Sequence, residues 1–359
     1  MAIGADIDTT ATAAASRVPA WVSNLAIVLV IAALWPINAL LADRLNPYFF
    51  QVLIVIGINI TLAVSLNLIN GITGQFSLGH AGFMALGAYT SAILMRHFSP
   101  SGAAAEALFL GALLLAGLMA AVAGIVVGVP ALRLRGDYLA IATLGFGEII
   151  NVLIVNTETI GRFEVGGASG LHGIPIVTNF FWTYAVALVC IVCIWRLAHS
   201  SKGKAFLAVR EDEIAAAAMG VDTTYHKVAA FVIGAFFAGV AGGISAMWFG
   251  DLDPESFRFM RSIEIVAMVV LGGSGSVTGA VLAAVVLTVL PEALRDVRQY
   301  TGGQDLRLII YSLLLIVMML VRPEGLLGRR ELWWTRRRTP AAVKAARALD
   351  VPDANPPVA

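Results

Sequence analysis

Four polar side chains interrupt the apolar run at 74–94, GQFSLGHAGFMALGAYTSAIL: Gln75, Ser77, His80 and Tyr89. They supply an amide, a hydroxyl, a titratable imidazole and a phenol, enough to hydrogen-bond a polar solute or to pass a proton. In hydrocarbon each of them needs a protein partner or a water-lined cavity, so the run points inward. Gly79 within it permits close backbone approach. A second constellation is TLGFGE at 143–148, where Thr143, Gly145 and Gly147 lead to Glu148. An acid inside an apolar span is costly to bury and requires a partner or water. His80 and Asn151 are candidates for that partner. These nine residues are the candidate translocation pathway, with His80 equally readable as a neutral strut between helices.

Other chemistries find less support. Cys190 and Cys193 form a C-x-x-C within FFWTYAVALVCIVCIW, without a second ligand pair or flanking polar residues. No metal and no disulfide is assigned to them. The stretch from Gly272 to Gly279 is glycine-rich but lacks the lysine of a phosphate-binding loop, so this chain binds no nucleotide cofactor and ATP would be hydrolysed elsewhere. A clustered nucleophile or carboxylate pair for enzymatic chemistry is not found.

The elements that must position these residues are membrane spans. The 359 residues are 59% hydrophobic and 13% charged, far from the balance of a soluble domain, with a net charge of +1 that implies no nucleic-acid partner. Apolar runs fall at about 22–42, 49–69, 76–95, 107–131, 138–156, 180–198, 228–250, 262–291 and 306–321. The eighth is too long for one comfortable crossing and is broken by Gly272-Gly273-Ser274-Gly275-Ser276. Counting it as two gives ten spans with both termini cytoplasmic. That arrangement puts sixteen of the 24 basic residues inside, all four lysines among them. The expected fold is an all-α polytopic bundle of about ten helices. It comprises a cytoplasmic segment 1–21, a permease domain 22–325 and a partly disordered tail 326–359. Arg133 and Arg135 would anchor the turn between the fourth and fifth spans, and Asn59, Asn67 and Asn70 would form an inward polar stripe. Glu264, near the outer face, would be structural or meet an external protein.

The longest cytoplasmic loop, 199–227, contains REDEIAAAAMG at 210–220. Glu211, Asp212 and Glu213 favour the start of a short helix, Ile214, Ala215, Ala216 and Met219 are compatible with its body, and Gly220 with a left-handed cap. So short a helix is unstable alone and must lie against a surface. Docking onto another protein is the favoured reading, resting on lipid the other.

The run 74–94, the motif LRLRGDYLAIATLGFGEI at 132–149 and the loop 209–220 resemble the permease subunits of branched-chain amino-acid ABC importers. The chain is most similar to the larger M-type. The resemblance covers about residues 45–325. It implies a bacterial inner-membrane subunit that works with a second, H-type permease, two cytoplasmic ATPases and a periplasmic binding protein. It also implies that Arg210 to Ala216, Met219 and Gly220 form the ATPase-coupling element, with the acid of the family's Glu-Ala-Ala pattern displaced to Glu213. Relatives serving urea, short amides or aromatic acids, and an ion-coupled carrier using His80 and Glu148, are the alternatives.

Overall fold

In the computed structural model, residues 20–98, 103–131, 134, 136–294, 312–313, 316–317, 320–321, 325–328 and 331 are described. The segment before residue 20, Arg133, Arg135, most of the run at 306–321 and the tail beyond 331 lie outside them. The described chain is a helical bundle: α1 (Ala20–Arg44), α2 (Pro47–Asn67), α3 (His80–Phe98), α4 (Ala103–Ala131), α5 (Asp137–Val155), α6 (Phe180–Ala198), α7 (Ser201–Glu211), α8 (Glu213–Ala218), α9 (Thr223–Phe249), α10 (Phe259–Gly272) and α11 (Val277–Ala293). A two-stranded hairpin, β1 (Thr159–Ile160) with β2 (Phe163–Glu164), decorates one loop.

The eighth apolar run is two helices. Gly273 and Gly275 take φ of +106° and +98°, conformations that end α10 and turn the chain into α11. Ser276 then caps α11 by accepting from Gly279 N at 3.0 Å. The third run departs from expectation. Its helix begins at His80, not at 76, and residues 74–79 form no regular structure. The cause is a pair of reciprocal bonds: Asn70 Nδ2 donates to Ser77 O at 3.3 Å and Ser77 N donates to Asn70 Oδ1 at 3.1 Å. Immediately before it, α2 ends in a π turn, Leu68–Ile72.

The loop at 199–227 also differs from a single short helix. Ser200 caps α7, which continues through Glu211, so Glu211 closes that helix instead of opening the next. The break comes at Asp212, whose carboxylate turns back to accept from Ile214 N at 2.8 Å and Ala215 N at 3.0 Å.

The bundle is built around α9, which packs on α3 and α4 most extensively and also on α2. Small residues permit this. A Cβ on Gly87 would strike the backbone of Gly239, and one on Gly242 would strike Met84 O. In a bilayer, where lipid is as apolar as leucine, such close backbone approach supplies much of the association.

Cross-helix contacts sort the helix ends into two sets. One joins Asn24 with Arg196, Gly71 with Arg210, and Gln75 with Lys227. The other joins Tyr48 with Glu292, Arg96 with Glu164, and Leu171 with Leu252. Each set contains only ends that alternate crossings bring to one side, and the first holds the lysine-bearing loop. Below, the first set is the inner end and the second the outer.

Candidate functional site

Gln75, Ser77, His80 and Tyr89 are all buried. Each carries one polar atom without a hydrogen-bond partner: Gln75 Oε1, Ser77 Oγ, His80 Nδ1 and Tyr89 OH. Among the described residues these are the four buried side-chain atoms in that condition. An unsatisfied buried polar group costs about 1–3 kcal/mol, so their concentration in one segment needs a reason. Their other bonds hold the segment in place. Gln75 Nε2 donates to Lys227 O at 3.3 Å, and His80 Nε2 lies 2.9 Å from Ser65 Oγ on α2.

Two helices of the site start beside one another, α3 at the buried His80 and α10 at the exposed Phe259. Ala81 N, in the first turn of α3, donates to Ser262 Oγ in the first turn of α10 at 3.1 Å. Phe259 N, the first of α10, donates at 3.0 Å to the Glu148 carboxylate, which lies past the middle of α5. Glu148 therefore serves as a remote N-terminal cap, where its charge complements the helix dipole. It does not meet the two partners named for it. His80 is held by Ser65, and Asn151 donates to Pro254 O at 2.8 Å.

Thr143 and the glycines of the pathway set have separate positions. Thr143 Oγ1 accepts from Leu78 N at 3.0 Å, fastening segment 74–79 to α5. Gly79 and Gly147 sit where α3 meets α5. A Cβ on Gly79 would strike Thr143 O, and one on Gly147 would lie 3.4 Å from Gly79 Cα. Gly145 faces open space. The three asparagines are interior, each with its own partners: Asn59 with Thr288 and Arg261, Asn67 with Gly275 and Ser276, Asn70 with Ser77.

Above these helix starts, on the outer side, lies a half-open cavity of about 600 Å³. Its walls combine apolar side chains, Ile58, Met84 and Phe257 among them, with Asp251, Asp253, Glu255 and Arg261. Such a mixture of apolar lining and a few charged groups is the usual build of a small-molecule site. Arg261 divides this cavity from a neighbour of about 260 Å³ between α2, α10 and α11, donating to Asn59 Oδ1 at 2.7 Å and Glu264 Oε2 at 2.8 Å.

At the inner end, α8 exposes Ile214 (71%) and Met219 (84%) and buries Ala216. Ala216 thus packs inside the chain and is not on the exposed face. Gly220 takes φ +85°, and Val221 N bonds to Ala216 O at 3.0 Å, closing the helix with a left-handed cap. The Glu213 carboxylate pairs with Lys227 of α9 at 2.6 Å, so its charge is used within the chain. Arg210 also turns inward, donating to Gly71 O at 2.8 Å.

A family model described as branched-chain amino acid transport system / permease component matches residues 48–320. The chain belongs to this family. The permease is 40% identical over 304 residues to the LivM permease protein of the high-affinity branched-chain amino acid transport system of Salmonella typhimurium, covering 75% of this chain and 68% of that protein. The same figures hold for LivM of Escherichia coli. LivH of Salmonella typhimurium is 27% identical over 286 residues, 75% of this chain and 91% of LivH. The larger identity falls on the M-type, as the motifs indicated.

The permease is a multi-pass membrane protein. Among the described residues five helices are long and apolar enough to cross a bilayer, and 27–41 and 277–293 form shorter apolar helices. Cys190 is buried and Cys193 exposed, both as free thiols, and no group of three or more His, Cys, Asp or Glu residues that could hold a metal occurs among the described residues. Sequence reasoning missed the acids of the outer cavity. The D-L-D-P-E run at 251–255, directly after a long apolar helix, was the available signal.

Proposed function

We propose that the permease is one membrane-spanning subunit of an ATP-driven importer in a bacterial inner membrane. It passes branched-chain or other hydrophobic amino acids delivered by a periplasmic binding protein. A second, H-type permease completes the channel, and two cytoplasmic ATPases hydrolyse the ATP. The observation that carries this reading is α8: a short helix, capped at both ends and tied to α9, that exposes Ile214 and, at its C-terminal end, Met219. A rigid apolar knob on the inner end suits a groove on a soluble protein better than it suits the chain's own core.

Both termini and the loop 199–227 are cytoplasmic in this reading, and the outer cavity opens to the periplasm. An amino acid entering there meets apolar walls for its side chain, with carboxylates and a guanidinium for its charged ends. Gln75, Ser77, His80 and Tyr89 line the route below, where their spare hydrogen-bonding atoms serve a hydrated or polar solute. His80 is bonded to Ser65 and Glu148 caps α10, so neither is arranged against the other as a proton relay. The test is leucine uptake into proteoliposomes holding the complete importer. Uptake should require enclosed ATP and persist in the presence of a proton uncoupler. Uptake that collapses with the uncoupler and ignores ATP would favour the ion-coupled carrier.

A further inference from the structure

Arg210 lies in the last turn of α7, three residues before the start of the exposed helix α8, yet its side chain runs back into the bundle with 17% of its surface exposed. Nη1 donates to Gly71 O at 2.8 Å, in the π turn that ends α2. A Cβ placed on Gly74, at the start of the segment leading to α3, would lie 2.5 Å from Arg210 Cγ. One placed on Gly275, in the turn between α10 and α11, would lie 2.9 Å from Nη1. Three backbone segments therefore close on one arginine side chain, two at its guanidinium and one at its aliphatic stem, and each contributes a glycine at the point of contact. Asn67 ties the first segment to the third, its Oδ1 accepting from Gly275 N at 2.9 Å and its Nδ2 donating to Ser276 O at 3.1 Å.

These segments adjoin the two helices whose first turns meet, α3 and α10. Segment 74–79 sets where α3 begins, and the α10–α11 turn is the far end of α10, whose first turn meets the first turn of α3. Interrupted helices of this kind are where transporters commonly build the site around which their bundles rock. On the other side, Asp212 is the single residue between α7 and α8, and the Glu213–Lys227 pair holds α8 to α9, so α8 cannot shift without moving the backbone that carries Arg210.

We propose that Arg210 is a positioning residue that carries displacement of α8 to the π turn, to segment 74–79 and to the α10–α11 turn, so that α3 and α10 move together. The proposal rests on the reading of α8 as an ATPase-docking helix. Arginine suits the task because its planar fork of five donors keeps a fixed geometry against a carbonyl and neighbouring backbone, which a lysine ammonium does not.

The experiment uses the complete importer in proteoliposomes, with Arg210→Gln and Arg210→Lys, and leucine with its binding protein as probe. Coupling is a measured quantity and spatial continuity alone does not establish it. The relay predicts that both variants co-purify with the ATPases and keep basal ATP hydrolysis within about twofold, while binding-protein-stimulated hydrolysis and uptake fall about tenfold in Arg210→Gln and less in Arg210→Lys. Stimulated hydrolysis and uptake at the unmodified level in both variants would overturn the relay. So would a parallel loss of assembly and basal hydrolysis, which would make Arg210 a structural prop. An unmodified complex lacking ATP-dependent uptake overturns the importer reading and the relay with it, whereas an active complex with indifferent variants overturns the relay alone.

Discussion

At the inner end of the bundle interior side chains bond to main chain, beside the Arg210–Glu211 and Glu213–Lys227 pairs, whereas the outer end joins a main-chain bridge, Leu171 with Leu252, to a larger set of ion pairs. At the inner end Asn67 and Arg210 bond to the main chain of Gly71, Gly275 and Ser276, and glycines bring those segments within reach. At the outer end Arg96, in the last turn of α3, meets Glu164 of β2, while His172 meets Asp251 and Arg261 meets Glu264 beside open cavities. Backbone contacts of the first kind are stiff and admit few residue types. Exposed ion pairs are weak, salt-screened and interchangeable. The contrast suits the importer proposed above, in which the inner end would receive force from ATPases and the outer end would meet a mobile binding protein.

The contrast is most exposed to disproof at Asn67. Replacement by alanine leaves Gly275 N and Ser276 O buried without this partner, and should destabilise the permease by about 2–4 kcal/mol, read as lower yield and melting temperature in detergent. A variant that melts like the unmodified protein would remove the claim that bonds to main chain fasten the inner end. Arg261→Ala, the best-connected outer residue, should cost about 1–2 kcal/mol, since Arg261 is only part-buried and Asn59 keeps Thr288. If it proves costlier than Asn67→Ala, the ranking of the two ends is reversed.

Gly220→Val should cost about 1–2 kcal/mol through its left-handed conformation alone, because nothing lies within 4 Å of a Cβ there. The loss should appear in ATPase co-purification and spare membrane insertion; intact co-purification would detach α8 from docking. The smallest effect belongs to His172, whose pKa is raised above 6.5 chiefly by its hydrogen bond to Asp251. A raised value means that the pairing is complete below the ordinary histidine range and is lost as pH rises through the shifted value. An NMR titration of the imidazole should show the shift, and Asp251→Asn should cancel most of it; an unchanged titration would mean the pair is not formed in solution.

Hydropathy and charge made the class of fold legible, because a bilayer imposes length and polarity on each crossing independently of the others. Local signals also carried the split of the eighth run, at its five-residue glycine and serine cluster, and the cap at Gly220. The start of α3 was not legible. GQFSLG at 74–79 is apolar enough to join the helix, and what keeps it out is Asn70 bonding to Ser77 from the other side of a turn. The limits of α7 and α8 were blurred for a similar reason, since Asp212 ends one helix and begins the other. At the candidate site the four polar residues of 74–94 stood out because lipid rejects them. Arg210, Asn67 and the cap at Glu148 did not, because their roles depend on which distant backbone they reach.

One such distant contact bears on how the chain is made. The first amides of α11, Val277 N and Thr278 N, bond to the carboxylate of Glu331, 54 residues after the first of them, while Leu326 N reaches back to Leu271 O. A ribosome adding about 5–20 residues per second produces Glu331 roughly 3–11 s after Val277. Throughout that interval α11 has its own Ser276 cap and lacks the distant one. The α10–α11 turn is therefore made with its own Ser276 cap alone, and the Glu331 latch can close only after Glu331 has been added.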